Sequence, residues 1–167
     1  YNKQYTEKQI YSCKKVVKMV DDSKTGDFAL IKLNHPVTDR TPIKISSSKS
    51  TGPSLYTLGF PKGTPMKYSY GASYMGDLRD DFFMADLEVF KGNSGGPIIN
   101  AQTHELEGIL STTHTYRDQD GQLSSGEMIL DEENRCWKLR AITDQDEVTL
   151  PSATSKKAFK NFIPTND

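Results

Sequence analysis

Several features that mark common function classes are scarce in this chain. Its 167 residues hold only two cysteines, Cys13 and Cys136, and a single tryptophan. Two thiols this far apart do not make a disulfide framework, and neither has the spacing of a zinc site. Their spacing leaves one bridge and two buried thiols equally open. Charge of one sign is not in excess: 21 Lys and Arg against 22 Asp and Glu give a net charge of -1. That balance removes the electrostatic footprint of a nucleic-acid-binding domain. No apolar run approaches the roughly 20 residues that cross a bilayer, so no membrane span is expected. The opening Tyr1-Asn2-Lys3-Gln4-Tyr5-Thr6-Glu7-Lys8 is too polar for a signal peptide. Histidine is scarce too, with only His35, His104 and His114. No internal repeat stands out, and the length suits one or two small domains.

What is present centres on Gly92-Asn93-Ser94-Gly95-Gly96-Pro97. Glycines around a serine allow backbone angles that a side chain forbids, so successive N–H groups can converge on one point and stabilise an oxyanion. Ser94 is then a candidate nucleophile. The other reading is a Gly-Pro loop between strands with Asn93 and Ser94 as ordinary turn residues. Upstream, Gly26-Asp27-Phe28-Ala29-Leu30-Ile31-Lys32-Leu33 places an acid at the mouth of an apolar strand.

Together these two segments carry a resemblance. Asp27 to Leu33 is similar to the aspartate strand of chymotrypsin-like (trypsin-like) serine proteases, and Gly92 to Pro97 is similar to their serine turn. The resemblance implies an all-β fold of two six-stranded antiparallel barrels, with the active site between them and a chain order of His, Asp, Ser. Asp86, six residues before Gly92, and Asn93 beside the serine resemble the bacterial-type branch, as does Leu55-Tyr56-Thr57-Leu58-Gly59-Phe60-Pro61-Lys62-Gly63. In the digestive branch an aspartate beside the serine pairs with a new N-terminal amine, a charge pair Asn93 cannot form.

The implied histidine has no counterpart, because none of the three histidines precedes Asp27 and only 26 residues do. His35 reads as a loop residue entering the turn at Pro36, and His104 as part of a polar turn. The strand pattern agrees. Six extended segments follow the turn-rich stretch from Ser46 to Pro53, near Leu55–Phe60, Met66–Tyr74, Phe82–Val89, Pro97–Asn100, Leu106–Thr113 and Cys136–Ile142. Upstream, only Gln9–Val20 and the Asp27 strand contribute. The expected organisation is a partial first barrel in 1–45, a linker in 46–53 and a complete second barrel in 54–167. Spacing of Ala153, Ala158, Phe159, Phe162 and Ile163 predicts a C-terminal helix over Ser152 to Ile163.

From the resemblance, Ser94 would attack, Asp27 would orient the base, and Gly92 and Ser94 would donate oxyanion-hole N–H groups. Gly108 to Thr113 resembles the strand on which substrate backbone is laid, so Ser111, Thr112 and Thr113 are candidate substrate-binding residues. Glu88 is a weaker candidate for a specificity acid, its other reading being a solvated surface carboxylate. The expected function is a serine endopeptidase without metal or cofactor, acting on polypeptides in a secreted or periplasmic setting. Its base would come from an N-terminal segment or second chain that completes the first barrel. The alternative is an inactive homologue that binds peptides or proteins. Asp118, Asp120, Gly121 and Glu127 fall at several calcium-loop offsets, but Tyr116 stands where the first carboxylate belongs, so a hairpin turn is the better reading.

Overall fold

A computed structural model describes residues 5–22, 25–47, 54–113, 115–117, 123–125, 128–139 and 147–163. Among them six antiparallel strands close a barrel: β3 (Ser54–Gly59), β4 (Lys67–Arg79), β5 (Phe82–Ala85), β6 (Pro97–Asn100), β7 (Leu106–Leu110) and β13 (Ser152–Ser155). The order around it is β13-β5-β4-β3-β6-β7, with β13 pairing β7 to close the ring. The long β4 pairs with both β3 and β5, and its register shifts at Tyr74–Gly76 and Asp77–Arg79 supply the bend. Inward positions pack as one cluster of Leu55, Ala72, Phe83, Ala85, Leu87, Val89, Ile98, Leu110 and Ala153. Gly108 has no room for a side chain, since a Cβ there would lie 2.7 Å from both Phe83 Cε1 and the Thr154 carbonyl oxygen.

Outside the barrel, β1 (Cys13–Asp22) and β2 (Gly26–Leu33) form a two-stranded antiparallel hairpin. Val16, Val17, Met19 and Ile31 on it are exposed, as apolar residues are when a sheet has no covering layer. Its β2 end leans on the barrel, where Phe28 is buried against Phe159 and Phe162 at ring-centroid distances of 5.9 and 6.1 Å. The smaller strands are β8 (Thr115–Arg117), β9 (Leu123–Ser125), β10 (Met128–Asp131), β11 (Cys136–Leu139) and β12 (Glu147–Thr149). They make a three-stranded sheet, β12-β8-β9, and the hairpin β10–β11.

Several sequence expectations are corrected here. The segment at Cys136 is not a barrel strand: Cys136–Leu139 pairs with Met128–Asp131. The barrel's sixth strand is Ser152–Ser155, taken from the segment expected to be helical, and only α1 (Lys156–Phe159) with a 3-10 turn at Lys160–Phe162 remains helix. Ser152, Ala153 and Thr154 are all buried. A strand buried on both faces loses the alternation that identifies strands, and the helical spacing of Ala158, Phe159, Phe162 and Ile163 just after it extends the expected helix back over the strand. Ser155 ends the strand and caps α1, its side chain accepting from the Lys157 amide. Other strands stop earlier than expected, at Ala85 and at Leu110. Cys13 and Cys136 are neither bridged nor buried, both being free and exposed. The calcium-offset positions 118–121 and 127 lie outside the described residues.

The segment before the barrel is fixed at its start. Leu106 donates its amide to the Lys44 carbonyl at 2.8 Å, and the Ser46 amide donates to the Leu106 carbonyl at 3.0 Å. Beneath this crossing Lys156 reaches inward from α1, donating to Ser46 Oγ at 2.7 Å and pairing with Glu107. Glu107 also accepts from Asn100 Nδ2 at 3.4 Å. All four residues are buried. Removing one member of a buried ion pair leaves the other uncompensated. Glu107→Ala should therefore cost about 3–5 kcal/mol of unfolding free energy, and Gly108→Ala about 1–3 kcal/mol through overpacking. Urea denaturation of each variant measures both, against a Lys44→Ala control that breaks the pair of exposed Lys44 with half-buried Glu105 at 2.7 Å and is expected within about 1 kcal/mol of wild type.

Candidate active site

The turn that carries Ser94 is held at both ends. Before it, Leu87 and Val89 are buried while Asp86 and Glu88 face out. Asp86 is tied to β4, its amide donating to the Ser73 carbonyl at 3.3 Å and its carboxylate accepting from the Ser73 amide. Within the turn the Asn93 amide donates to the Phe90 carbonyl at 3.0 Å, and the Gly96 amide to the Asn93 carbonyl at 2.9 Å. Gly95 and Gly96 then lock onto the end of β7, with Gly95 N–H to Leu110 O at 2.7 Å and Leu110 N–H to Gly96 O at 2.9 Å. Gly92 has φ 100°, and a Cβ there would lie 2.8 Å from the Lys62 amide nitrogen. No other residue fits that position without displacing backbone.

This arrangement uses the amides of Asn93, Gly95 and Gly96 internally, while those of Gly92 and Ser94 make no hydrogen bond among the described residues. Ser94 itself is exposed, and its hydroxyl donates to the Ser111 carbonyl at 3.2 Å. Asn93 is buried, packed against Gly59, where an added Cβ would lie 3.0 Å from its Cγ.

Asp27 approaches from the hairpin. Its carboxylate Oδ2 accepts from Ser111 Oγ at 2.7 Å. Its amide donates to Thr154 Oγ1 at 2.9 Å, and the same hydroxyl donates back to the Asp27 carbonyl at 2.9 Å. Ser111 thus touches both candidates, the acid through its hydroxyl and the serine through its carbonyl. Asp27 and Ser94 face one cleft of about 480 Å³, lined also by Met19, Asp21, Ala29 and Leu110. Such a cleft offers an acid and a hydroxyl to a third group placed between them.

The other sequence candidates lie in different places. Ser111 and Thr112 follow the last ladder residue of β7, and both amides donate to the Ser152 carbonyl at 3.0 Å. Thr112 Oγ1 also bonds Ser152, 2.9 Å from its Oγ and 3.0 Å from its amide, and Thr113 is buried. Glu88 is exposed, its amide donating to Ser69 Oγ at 3.2 Å, and it does not line the cleft. His35 lies at the far end of the hairpin, 4.5 Å from the Tyr11 ring centre, with Nε2 facing the Ile10 carbonyl at 3.2 Å. His104 contacts the Tyr56 hydroxyl at 3.2 Å. Neither borders the cleft, and His114 lies outside the described residues. Sequence reasoning missed Ser152 and Thr154 as neighbours of the site. The β-branched Thr154 between small residues after Pro151 was the available strand signal.

Comparison with known proteins places this geometry. The chain matches the trypsin-like peptidase domain family over residues 6–109. No curated protein sequence matches it. Among solved structures it is similar to the active form of the Rv3671c protease from M. tuberculosis, with a TM-score of 0.52 and 14% identity over 86% of this chain and 55% of that one. It is similar also to kallikrein-related peptidase 10, with a TM-score of 0.53 and 14% identity over 86% of this chain and 67% of that one. The chain therefore spans little more than half the length of the mycobacterial protease. At this identity the likeness is one of fold, and that fold is chymotrypsin-like. The described residues close one of its barrels, and β1 and β2 form a separate two-stranded sheet. With a family match that covers most of the chain and a fold in agreement with it, this protein belongs to the trypsin-like peptidase domain family.

Proposed function

We propose that the chain is the larger part of a serine endopeptidase that cleaves polypeptides through an acyl-enzyme. The observation that carries this reading is the shared hold of Ser111 on the Asp27 carboxylate and the Ser94 hydroxyl, across a cleft wide enough for a third side chain. In this reading a histidine from a preceding segment or a second chain enters the cleft and bonds Asp27. It takes the proton of Ser94 Oγ as that oxygen attacks the scissile carbonyl carbon. Negative charge then forms on the carbonyl oxygen, and the amides of Gly92 and Ser94, which make no hydrogen bond among the described residues, receive it. Collapse of this intermediate breaks the C–N bond, with the histidine returning its proton to the leaving amine. Water repeats the attack on the ester, the same base takes its proton, and the carboxylic acid product leaves with Ser94 restored.

The segment that brings the histidine has a second task, covering the apolar residues Val16, Val17, Met19 and Ile31 of the hairpin. A second reading, a peptidase homologue that binds peptides without cutting them, draws on one observation: no histidine borders the cleft among the described residues. The two readings differ in a measurable way. In the whole protein a fluorophosphonate should label Ser94, with Ser94→Ala abolishing the adduct and His35→Ala and His104→Ala leaving it unchanged. Asp27→Asn should slow labelling by about 10⁴-fold through loss of the base's orientation. Mass spectrometry of the adduct reads each outcome. A folded whole protein that takes no label sinks the endopeptidase reading and leaves the binding module.

A further inference from the structure

We propose that Thr154 is the positioning residue that sets Asp27 against Ser94, an inference that rests on the peptidase reading of those two side chains. Thr154 is fully buried, with 0% exposure. Its single hydroxyl accepts the Asp27 amide proton and donates to the Asp27 carbonyl, both at 2.9 Å. One hydroxyl therefore occupies both main-chain polar groups of the acid. Only a side chain that donates and accepts at one atom can do this in so little space. The γ-methyl completes the fit, because a Cβ added at Gly26 would lie 3.4 Å from Thr154 Cγ2 and 3.2 Å from Ala158 Cβ. The acid is thus gripped through its own backbone and through the backbone of the residue before it.

The same short strand also fixes the other side of the cleft. Two residues before Thr154, the Ser152 carbonyl accepts the amides of Ser111 and Thr112, each at 3.0 Å. Ser111 in turn holds the Asp27 carboxylate at 2.7 Å and the Ser94 hydroxyl at 3.2 Å. Main chain and carboxylate of the acid are therefore both referred to β13, as is the group that meets the nucleophile. Away from this point much of the hairpin is exposed, including Val16, Val17, Met19 and Ile31. The clamp thus decides where the acid stands relative to the barrel. Thr154 does not line the cleft, so it touches no substrate, and its loss should act on the chemical step alone.

The test compares Thr154→Val, which keeps the shape and removes the hydroxyl, with Thr154→Ser, which keeps the hydroxyl. Peptide hydrolysis by the whole protein should show kcat lowered about 10²-fold in T154V with KM unchanged, as a small misplacement of an orienting group produces. T154S should recover most of the loss. Hydrogen exchange followed by NMR supplies a readout independent of activity: the Asp27 amide should exchange about tenfold faster in T154V than in wild type or T154S. Wild-type kcat and wild-type Asp27 protection in T154V would overturn the proposal, as would a T154S variant as impaired as T154V. If T154V does not fold, T154S must still keep both kcat and protection, and loss of either overturns it. Should the whole protein cleave no peptide, the peptidase reading falls while exchange at Asp27 still decides whether Thr154 is the clamp.

Discussion

Closure of the barrel by Ser152–Ser155 is the constraint on which the rest of the structure depends. This strand pairs with β5 on one side and β7 on the other, so without it the sheet has two open edges and Leu110 and Phe83 lose a wall of their core. Because its residues are small, β2 can lie close across it. Thr154 meets Asp27, and Ser152 gathers the amides that follow β7. Core packing and site geometry are consequently one problem here. A shift of β13 by a single residue would turn its side chains to the other face, breaking the core and separating Asp27 from Ser111 together.

Backbone does most of the work at the turn that carries Ser94. Gly92 takes a positive φ against the Lys62 amide, the Asn93 and Gly96 amides bond within the turn, and Gly95 N–H and the Gly96 carbonyl hold it to Leu110 of β7. In the proposed reaction, the Gly92 and Ser94 N–H groups, which make no hydrogen bond among the described residues, would meet the developing negative charge without reorganisation. Rigidity also comes from below. The buried Lys156–Glu107 pair joins α1, β7 and the chain segment at Ser46, so the helix that packs Phe159 onto Phe28 is anchored to the barrel floor. Whether such a pair adds net stability is a separate matter from its use as a register device. Here it fixes the point where the chain passes from the hairpin into the barrel.

How much of this could be read from sequence follows from the range of each interaction. The serine turn and the aspartate strand are local: glycine spacing and an apolar run declare them within about a dozen residues. Strand β6 was legible to the residue, Pro97 to Asn100, because proline and asparagine bound it. The bonds that assemble the site are not local. Ser111 meets Asp27 across 84 residues of sequence and Thr154 meets it across 127, and no periodicity reports contacts of that kind. The strand that supplies Thr154 was misread for a related reason. Ser152, Ala153 and Thr154 are buried together, so the inside–outside alternation that separates strand from helix is missing.

Trapping the acyl-enzyme tests the central claim most directly. The whole protein, mixed with a peptide ester and quenched in acid within milliseconds, should carry one acyl group per molecule. Peptide mapping should place that group on Ser94, and it should disappear in Ser94→Ala. Ester or peptide turnover with no acyl group on the protein, or with the group on another residue, would contradict the account.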